Sequence, residues 1–205
     1  MKKKLPLILT LVFVLLLGGA YVLYNHLSAD MAPNQLATPQ AQETRPSETA
    51  DSTDSSAETT QETEPPKSMA PDFTAYDKEG NPVKLSDFRG KPVVLNFWSS
   101  NCGPCRAEMP DFQRVYEEMG EDVQFLMVNM TDGSWDTVES ATAFISEQGF
   151  TFPVYFDTQL SAARAYVVNS LPTTYFIDKE GYLTAYTRGM TQESVLRQGI
   201  RMITE

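Results

Sequence analysis

Apolar and polar positions follow two different periods along the second half of the chain. Largely apolar runs at residues 93–98 and 123–128, each with one polar residue, predict buried strands, because a strand that is covered on both faces has no polar side. The intervening residues 104–119 have the spacing of an amphipathic helix that ends at Gly120. Pro110 lies inside this helix and predicts a kink there.

Shorter elements are predicted on both sides of this strand–helix–strand unit. Residues 72–76 and 83–85 flank a Gly-containing turn and indicate a β-hairpin. Later elements are a helix over residues 138–148, strands at 153–156, 174–177 and 182–186, a short helix at 160–166, and a last helix capped by Thr191. Strands that alternate with helices before a closing hairpin and helix predict an α/β sheet with helices on both faces.

The amino-terminal residues 1–27 predict a membrane anchor. Three lysines are followed by an uncharged apolar run over residues 5–24, which is long enough to span the hydrocarbon core. A cleaved signal peptide has a shorter apolar core, so the run favours an uncleaved transmembrane helix. Because the lysines are expected on the cytoplasmic side, the rest of the chain is predicted to be extracytoplasmic. The outer face of a Gram-positive cell membrane and a periplasm both fit this single-pass topology.

Residues 28–67 have the composition of a disordered, acidic linker. The segment is rich in Thr, Ser, Pro, Gln and Glu, with eight acidic and two basic residues. No large apolar side chain occurs between Leu36 and Met69. Such a segment cannot bury enough surface to offset the entropy lost on ordering. We therefore expect a tether that extends a folded domain, residues 68–205, away from the membrane.

Charge excludes one class of partner for that domain. The chain carries a formal net charge of −11, and acidic residues also outnumber basic ones within residues 68–205. A nucleic-acid-binding surface needs clustered positive charge. Nucleic acid is therefore not expected as a partner.

The two cysteines of the chain lie in one motif, Cys102-Gly103-Pro104-Cys105, between the first buried strand and the helix that follows. At the start of a helix, backbone N–H groups and the helix dipole favour the negatively charged thiolate, which is the nucleophilic form. Cys105 lies about one turn further along and is placed to attack a mixed disulfide on Cys102. The pattern predicts thiol–disulfide exchange.

Other interpretations of the cysteines are weaker. A zinc site needs about four ligands, but the chain has one CxxC motif and a single histidine, His26, near the predicted anchor. A purely structural disulfide would close a very short loop, which gains little from cross-linking. Neither a metal nor another cofactor is expected.

The sequence around the motif resembles the thioredoxin active site and, more widely, the membrane-anchored TlpA/ResA-type thiol–disulfide oxidoreductases, with a redoxin (AhpC/TSA-like) domain. The features that carry the resemblance are the opening Pro71-Asp72-Phe73, the segment 87–91, the motif with residues 106–110 after it, an extra segment near residues 148–168, and the loop 171–178. The resemblance implies a thioredoxin fold with an amino-terminal β-hairpin extension and a central insertion.

The resemblance also implies roles for individual residues. Asn96 stands where thioredoxin has a buried Asp, and Glu108 matches the Glu that takes the proton-transfer role in the TlpA/ResA type. Pro172 matches the family's cis-proline, with Leu171 before it offering its backbone to a substrate chain. Trp98 is expected to be a packing residue that borders the site and contributes to the substrate contact. Asn101 stands where the family often has Trp, so this chain departs from the pattern on its partner-facing surface.

These features together predict an extracytoplasmic enzyme that reduces disulfides in protein clients, with Cys102 attacking and Cys105 resolving. The resemblance implies electron supply from a membrane thiol transporter of the CcdA/DsbD type. Three alternatives remain open at this point: a disulfide-forming oxidase, a thiol peroxidase, and a non-catalytic binding domain with the same fold.

Overall fold

Eight strands form one mixed sheet within residues 36–38 and 68–205, the part of the chain that the computed structural model describes. They are β1 (Ser68–Met69), β2 (Thr74–Tyr76), β3 (Pro82–Lys84), β4 (Val93–Trp98), β5 (Gln124–Asn129), β6 (Val154–Phe156), β7 (Thr173–Ile177) and β8 (Tyr182–Arg188). Their spatial order is β1-β8-β7-β4-β5-β6-β2-β3. β5 is parallel to β4 and β6, whereas β7 is antiparallel to β4 and β8.

Four α-helices and one short 3₁₀-helix pack around this sheet. They are the 3₁₀-helix Leu85–Phe88, α1 (Gly103–Met119), α2 (Val138–Gln148), α3 (Ser161–Ala165) and α4 (Glu193–Thr204). The predicted helix over residues 138–148 and the two predicted buried strands are confirmed, the strands to within one residue. α1 runs through Pro110 as one helix.

The central strands β4 and β5 bury both of their faces. Successive side chains alternate between two apolar clusters: Val94 and Phe125 belong to one, Leu95 and Leu126 to the other. The first cluster includes side chains of α1, α2 and α4, whereas the second includes α3 and the hairpin region. The prediction of helices on both faces is therefore confirmed, and the period of two along each strand explains it.

The strand directions bring three loops to one edge of the sheet. β4 and β5 are parallel, so the segments after Trp98 and after Asn129 leave from the same edge. β7 is antiparallel to β4 and begins opposite its end, with Thr173 paired to Phe97. The cysteine motif, residues 130–137 and the loop before Thr173 therefore meet there.

The predicted amino-terminal hairpin forms and joins the far end of the sheet. β2 and β3 pair through Ala75 and Val83, and β2 also meets β6 where Tyr76 pairs with Phe156. The hairpin turn is closed by the Asp77 carboxylate, which accepts hydrogen bonds from the backbone and side chain of Asn81.

Three residues of the predicted linker differ from the expectation of disorder. Ala37 forms an antiparallel bridge to Tyr186 of β8, with both N···O distances 2.8 Å, and Leu36 packs against the larger apolar cluster. The outer edge of β8 offers unpaired backbone groups, and Leu36 supplies an apolar anchor beside them. The remaining linker residues and the predicted anchor, residues 1–27, lie outside the described residues. Within residues 36–38 and 68–205, no helix has both the length and the apolar character needed to cross a membrane.

Candidate active site

The two cysteine sulfurs are joined in a disulfide at the start of α1. Cys102 is the amino-terminal cap of the helix, and its sulfur accepts a 3.2 Å hydrogen bond from the backbone N–H of Cys105. Cys102 retains 7% of its surface, whereas Cys105 retains none. Cys102 is thus the more accessible of the two cysteines, and the attacking role of Cys102 and the resolving role of Cys105 stay predictions.

Glu108 lies one turn after Cys105 on the buried face of α1. Its two carboxylate oxygens accept one hydrogen bond each, from the Asn96 side-chain amide at 2.9 Å and from the Thr191 backbone N–H at 2.7 Å. Burial disfavours the charged carboxylate more than these two donors favour it, and raises the pKa of Glu108 from 4.5 to about 8. The nearby Asp111 carboxylate acts in the same direction as burial. A carboxyl group of this kind can exchange a proton near neutral pH.

Three buried polar residues form a hydrogen-bonded group with Glu108: one on β4, one on β7 and one just before α4. Asn96 of β4 also donates a 3.0 Å hydrogen bond to Thr174 of β7, whose hydroxyl lies 3.4 Å from that of Thr191. All three of these residues are fully buried. Within the described residues no hydrogen bond joins Glu108 to a cysteine sulfur, so its proton-transfer role stays a prediction.

Thr191 has a different role from the predicted one. The cap of α4 is Gln192, which makes no side-chain capping bond, and Thr191 instead turns its backbone N–H to Glu108. The helix-capping prediction was wrong because the sequence showed a suitable hydroxyl near the helix start but not the buried carboxylate that Thr191 faces.

The peptide bond between Leu171 and Pro172 is cis, as the resemblance implied. Pro172 is buried, whereas Leu171 is half-buried and lines a groove of about 370 Å³ that also contains Cys102. The other lining residues are Met130, Trp135 and residues 168–170. The structure therefore brings the cysteine motif and the loop before Pro172 to one surface groove.

Comparison with known proteins agrees with this geometry. The sequence profile of the AhpC/TSA family matches residues 66–186. The thiol–disulfide oxidoreductase ResA of Geobacillus thermodenitrificans is 40% identical over 132 residues, which are 62% of this chain and 72% of that protein. The ResA of Bacillus subtilis is 34% identical over 137 residues, 66% of this chain and 74% of that protein.

The chain belongs to the AhpC/TSA family and is a ResA/TlpA-type redoxin. A solved structure titled as a putative thiol:disulfide interchange protein DsbE, from Chlorobium tepidum, is similar, with a TM-score of 0.59 and 32% identity. That likeness covers 66% of this chain and 94% of the other and supports the thioredoxin-like fold. This redoxin is thus an enzyme of thiol–disulfide exchange, and the two cysteines of its CGPC motif form a disulfide.

Trp98 of this redoxin is a packing residue beside the cysteine motif, as expected, in one apolar cluster with Cys102 and Cys105, but the predicted substrate contact is wrong. Trp98 is fully buried, and its ring packs 6.0 Å from that of Phe144. It is the last residue of β4, whose side chains are all buried, so it has no surface to offer a substrate. Arg106 also packs on Phe144, with its guanidinium carbon 4.8 Å from the ring centre.

The exposed tryptophan at the groove is Trp135, which our interpretation of the sequence did not single out. It retains 53% of its surface and lines the same groove as Cys102. Asn101, the residue that replaces the family's frequent Trp, donates its side-chain amide to the Trp135 carbonyl. The signal in the sequence was a Trp within a polar turn, Gly133-Ser134-Trp135-Asp136, in a chain whose residue directly before the first cysteine is Asn101 and not an aromatic one.

A buried carboxylate ties the Trp135 loop of the redoxin to the cysteine motif. Asp136 accepts hydrogen bonds at 2.6 Å from both the backbone N–H and the hydroxyl of Ser100, two residues before Cys102. Asn129 and Ser140 donate to the same carboxylate. Burial alone would raise the pKa of Asp136, but these hydrogen bonds outweigh it and hold that pKa below its usual value.

Proposed function

We propose that this redoxin reduces disulfides in protein clients outside the cytoplasm. The observation that carries the proposal is the position of Cys102, which retains 7% of its surface and lines a groove with the loop before Pro172, whereas Cys105 retains none. This arrangement supports an ordered exchange in which a client meets Cys102 before Cys105 acts.

The exchange runs in two balanced steps. The Cys102 thiolate attacks one sulfur of the client disulfide, forms a mixed disulfide and releases the other client sulfur as a thiolate. Cys105 then attacks the Cys102 sulfur, closes the Cys102–Cys105 disulfide and releases the second client sulfur. The client gains two electrons and two protons, and the redoxin loses them.

Glu108 is proposed to move the proton of Cys105. Cys105 must lose its proton before it attacks, and a carboxyl group with a pKa of about 8 exchanges protons readily near neutral pH. Cys105 and Glu108 are both buried on α1, three positions apart, and therefore share one face of the helix.

Client binding is proposed to use the backbone before the cis-proline. Thr173 donates its hydroxyl to the Ser170 carbonyl, and the Pro172 carbonyl accepts from Gly189. No hydrogen bond engages the backbone of Leu171 within the described residues. An extended client chain beside Cys102 can use those groups as a neighbouring strand would.

The cellular setting belongs to the same proposal. The apolar run at residues 5–24 supports a single membrane anchor, and the three preceding lysines support a cytoplasmic amino terminus. A reductant outside the cytoplasm must be supplied with electrons across the membrane. A membrane thiol transporter of the CcdA/DsbD type is the supplier we propose.

The test is the reduction potential of the Cys102–Cys105 pair, measured on the full-length protein in detergent by equilibration in thiol/disulfide buffers. A value near the thioredoxin end, about −270 mV, is expected for a reductant. A value near about −120 mV would contradict the reducing direction and favour disulfide formation. The Cys102→Ser variant is the control, and reduction of a client disulfide at the wild-type rate by that variant would refute the exchange altogether.

A further inference from the structure

We propose that Trp135 is a specificity-determining residue that selects clients with a bulky apolar side chain next to the disulfide cysteine. The inference rests on the proposed function, because it assigns a binding surface to the same groove. Its occupant is an extended segment of a client protein, with the client cysteine at Cys102 and the neighbouring apolar side chain against the indole of Trp135.

The location of exposed apolar side chains is the first support. Among the described residues, the large apolar side chains classed as exposed are Met69, Trp135, Val167 and Met202. Two of these four lie in the loops that flank Cys102: Trp135 after β5 and Val167 just before the groove-lining residues 168–171. Exposed apolar groups concentrated beside a reactive sulfur indicate a surface that a partner covers.

The position of the occupant follows from the reaction itself. The client sulfur must come within bonding distance of the Cys102 sulfur, so the residues next to the client cysteine must enter the groove that Cys102 lines. Apolar side chains make up most of that groove, and Asn169 and Ser170 are its two polar residues; the apolar ones beside Cys102 are Met130, Trp135, Val168 and Leu171. A charged neighbour of the client cysteine would lose water there with no charged residue to pair with, whereas an apolar one gains contact with the indole.

The loop that carries Trp135 is also held in place by hydrogen bonds in the absence of a client. The Asp132 carboxylate accepts hydrogen bonds from the backbone N–H groups of Ser134, Trp135 and Asp136 at 2.6 to 3.2 Å. Asn101 holds the Trp135 carbonyl from the other side. An aromatic side chain on a preorganised backbone has only its own two torsions to order on binding, which suits an anchor residue in a binding site.

Asn101 explains why the aromatic surface beside Cys102 comes from Trp135 in this chain. The side chain directly before the first cysteine is a short amide here, and it is used to bind the Trp135 backbone rather than to contact a client. The aromatic surface therefore comes from the loop after β5. Selectivity is accordingly expected to follow residue 135 and not residue 101.

The experiment compares two synthetic peptides that differ only in the residues flanking a single cysteine, Leu in one and Ser in the other. Each peptide is supplied as a mixed disulfide with glutathione, and the second-order rate constant for its reduction by the full-length reduced protein is measured in a single turnover, with the Cys102–Cys105 dithiol as the electron source. We expect the wild-type protein to prefer the Leu peptide by about 10-fold, as burial of one apolar side chain implies. Trp135→Ala should bring the ratio close to one, whereas Trp135→Phe should retain most of it.

Met202→Ala is the matched control, because Met202 is another exposed large apolar residue and lies on α4, away from the groove lining. It should keep the wild-type ratio. An equal loss on both peptides in Trp135→Ala, or a wild-type ratio near one, would overturn the inference while leaving the proposed function intact. Failure of the wild-type protein to reduce either peptide would instead count against the proposed function.

A second readout follows the indole directly. The chain contains two tryptophans, of which Trp98 is fully buried and Trp135 is exposed. In the Cys105→Ser variant, which cannot resolve the mixed disulfide, trapping the Leu peptide on Cys102 should shift the tryptophan emission to shorter wavelength. The shift should be absent when Trp135→Phe is added, and its persistence there would overturn the inference.

Discussion

Asn96 and Glu108 meet side chain to side chain in the interior, with the amide nitrogen of one 2.9 Å from a carboxylate oxygen of the other. Asn96 lies on β4 and Glu108 on α1, so the bond connects the central strand to the helix that carries both cysteines. The amide oxygen of Asn96 has no hydrogen-bond partner among the described residues. Rotation of the amide would present that oxygen to a protonated Glu108, so Asn96 can serve either protonation state.

Glu108 should make the stability of the protein depend on pH. Its pKa is about 8 in the folded protein and near 4.5 when unfolded, so the folded state holds the extra proton between these values. The contribution of Glu108 to the free energy of unfolding is therefore complete below about pH 4.5. It falls as pH rises towards 8, by at most about 1.4 kcal/mol per pH unit. Urea denaturation of wild-type and Glu108→Gln proteins from pH 5 to 9 tests this, since the variant should lack that component of the slope. Equal slopes would contradict it.

Asn96→Ala should raise the pKa of Glu108 further. The hydrogen bond from Asn96 favours the charged carboxylate, and its loss removes that support while burial remains. Carboxyl ¹³C NMR titration of Glu108 in both proteins measures the change. The loss of a buried partner should also destabilise the protein by about 1–3 kcal/mol. An unchanged or lowered pKa would show that Asn96 does not support the carboxylate.

Asp136→Asn should loosen the segment before Cys102. Asp136 is nearly fully buried and accepts hydrogen bonds from Ser100, Asn129 and Ser140, and an Asn side chain offers one acceptor oxygen in place of two. We expect a loss of about 2–4 kcal/mol of stability and faster exchange of the Ser100 amide hydrogen.

The control for that substitution is Glu139→Gln, which removes the next carboxylate along the chain from an exposed position. Glu139→Gln should leave both the urea midpoint and the exchange rate close to wild type. Because the pKa of Asp136 is lowered in the folded protein, its charged carboxylate stabilises the protein above the usual Asp pKa. The destabilisation caused by Asp136→Asn should therefore shrink as pH falls from that usual value towards the lowered pKa. A destabilisation that is equal at pH 3 and pH 7 would count against a role for the charged carboxylate.

Gly199→Ala should be strongly destabilising. A Cβ at this position of α4 would lie 2.3 Å from the ring of Phe176 on β7, closer than packed atoms can approach. Moving the helix or the fully buried ring should lower stability by about 1–3 kcal/mol, measured by urea denaturation. Gly103→Ala is the comparison, because the added Cβ has no atom within 4 Å there. Similar losses in the two variants would show that close packing against Phe176 is not the reason for the glycine.

The sequence by itself determined the main strands and helices and the position of the CGPC motif at a helix start. The buried strands, the helix of residues 138–148 and the CGPC motif at a helix start were all predictable, because each depends on local periodicity or spacing. The resemblance added Glu108 and the cis bond before Pro172, since both lie at fixed positions within short motifs. The burial of Trp98 also follows from its place at the end of an apolar run.

Only the tertiary structure decided which distant residues meet. Glu108 receives its hydrogen bonds from Asn96, 12 positions away, and from Thr191, 83 positions away, and nothing in the local pattern relates these residues. The placement of Trp135 beside Cys102 depends on the parallel pairing of β4 and β5 and on the Asp136–Ser100 hydrogen bonds, 36 positions apart. Such contacts are set by strand order and register, which arise from the packing of the whole domain.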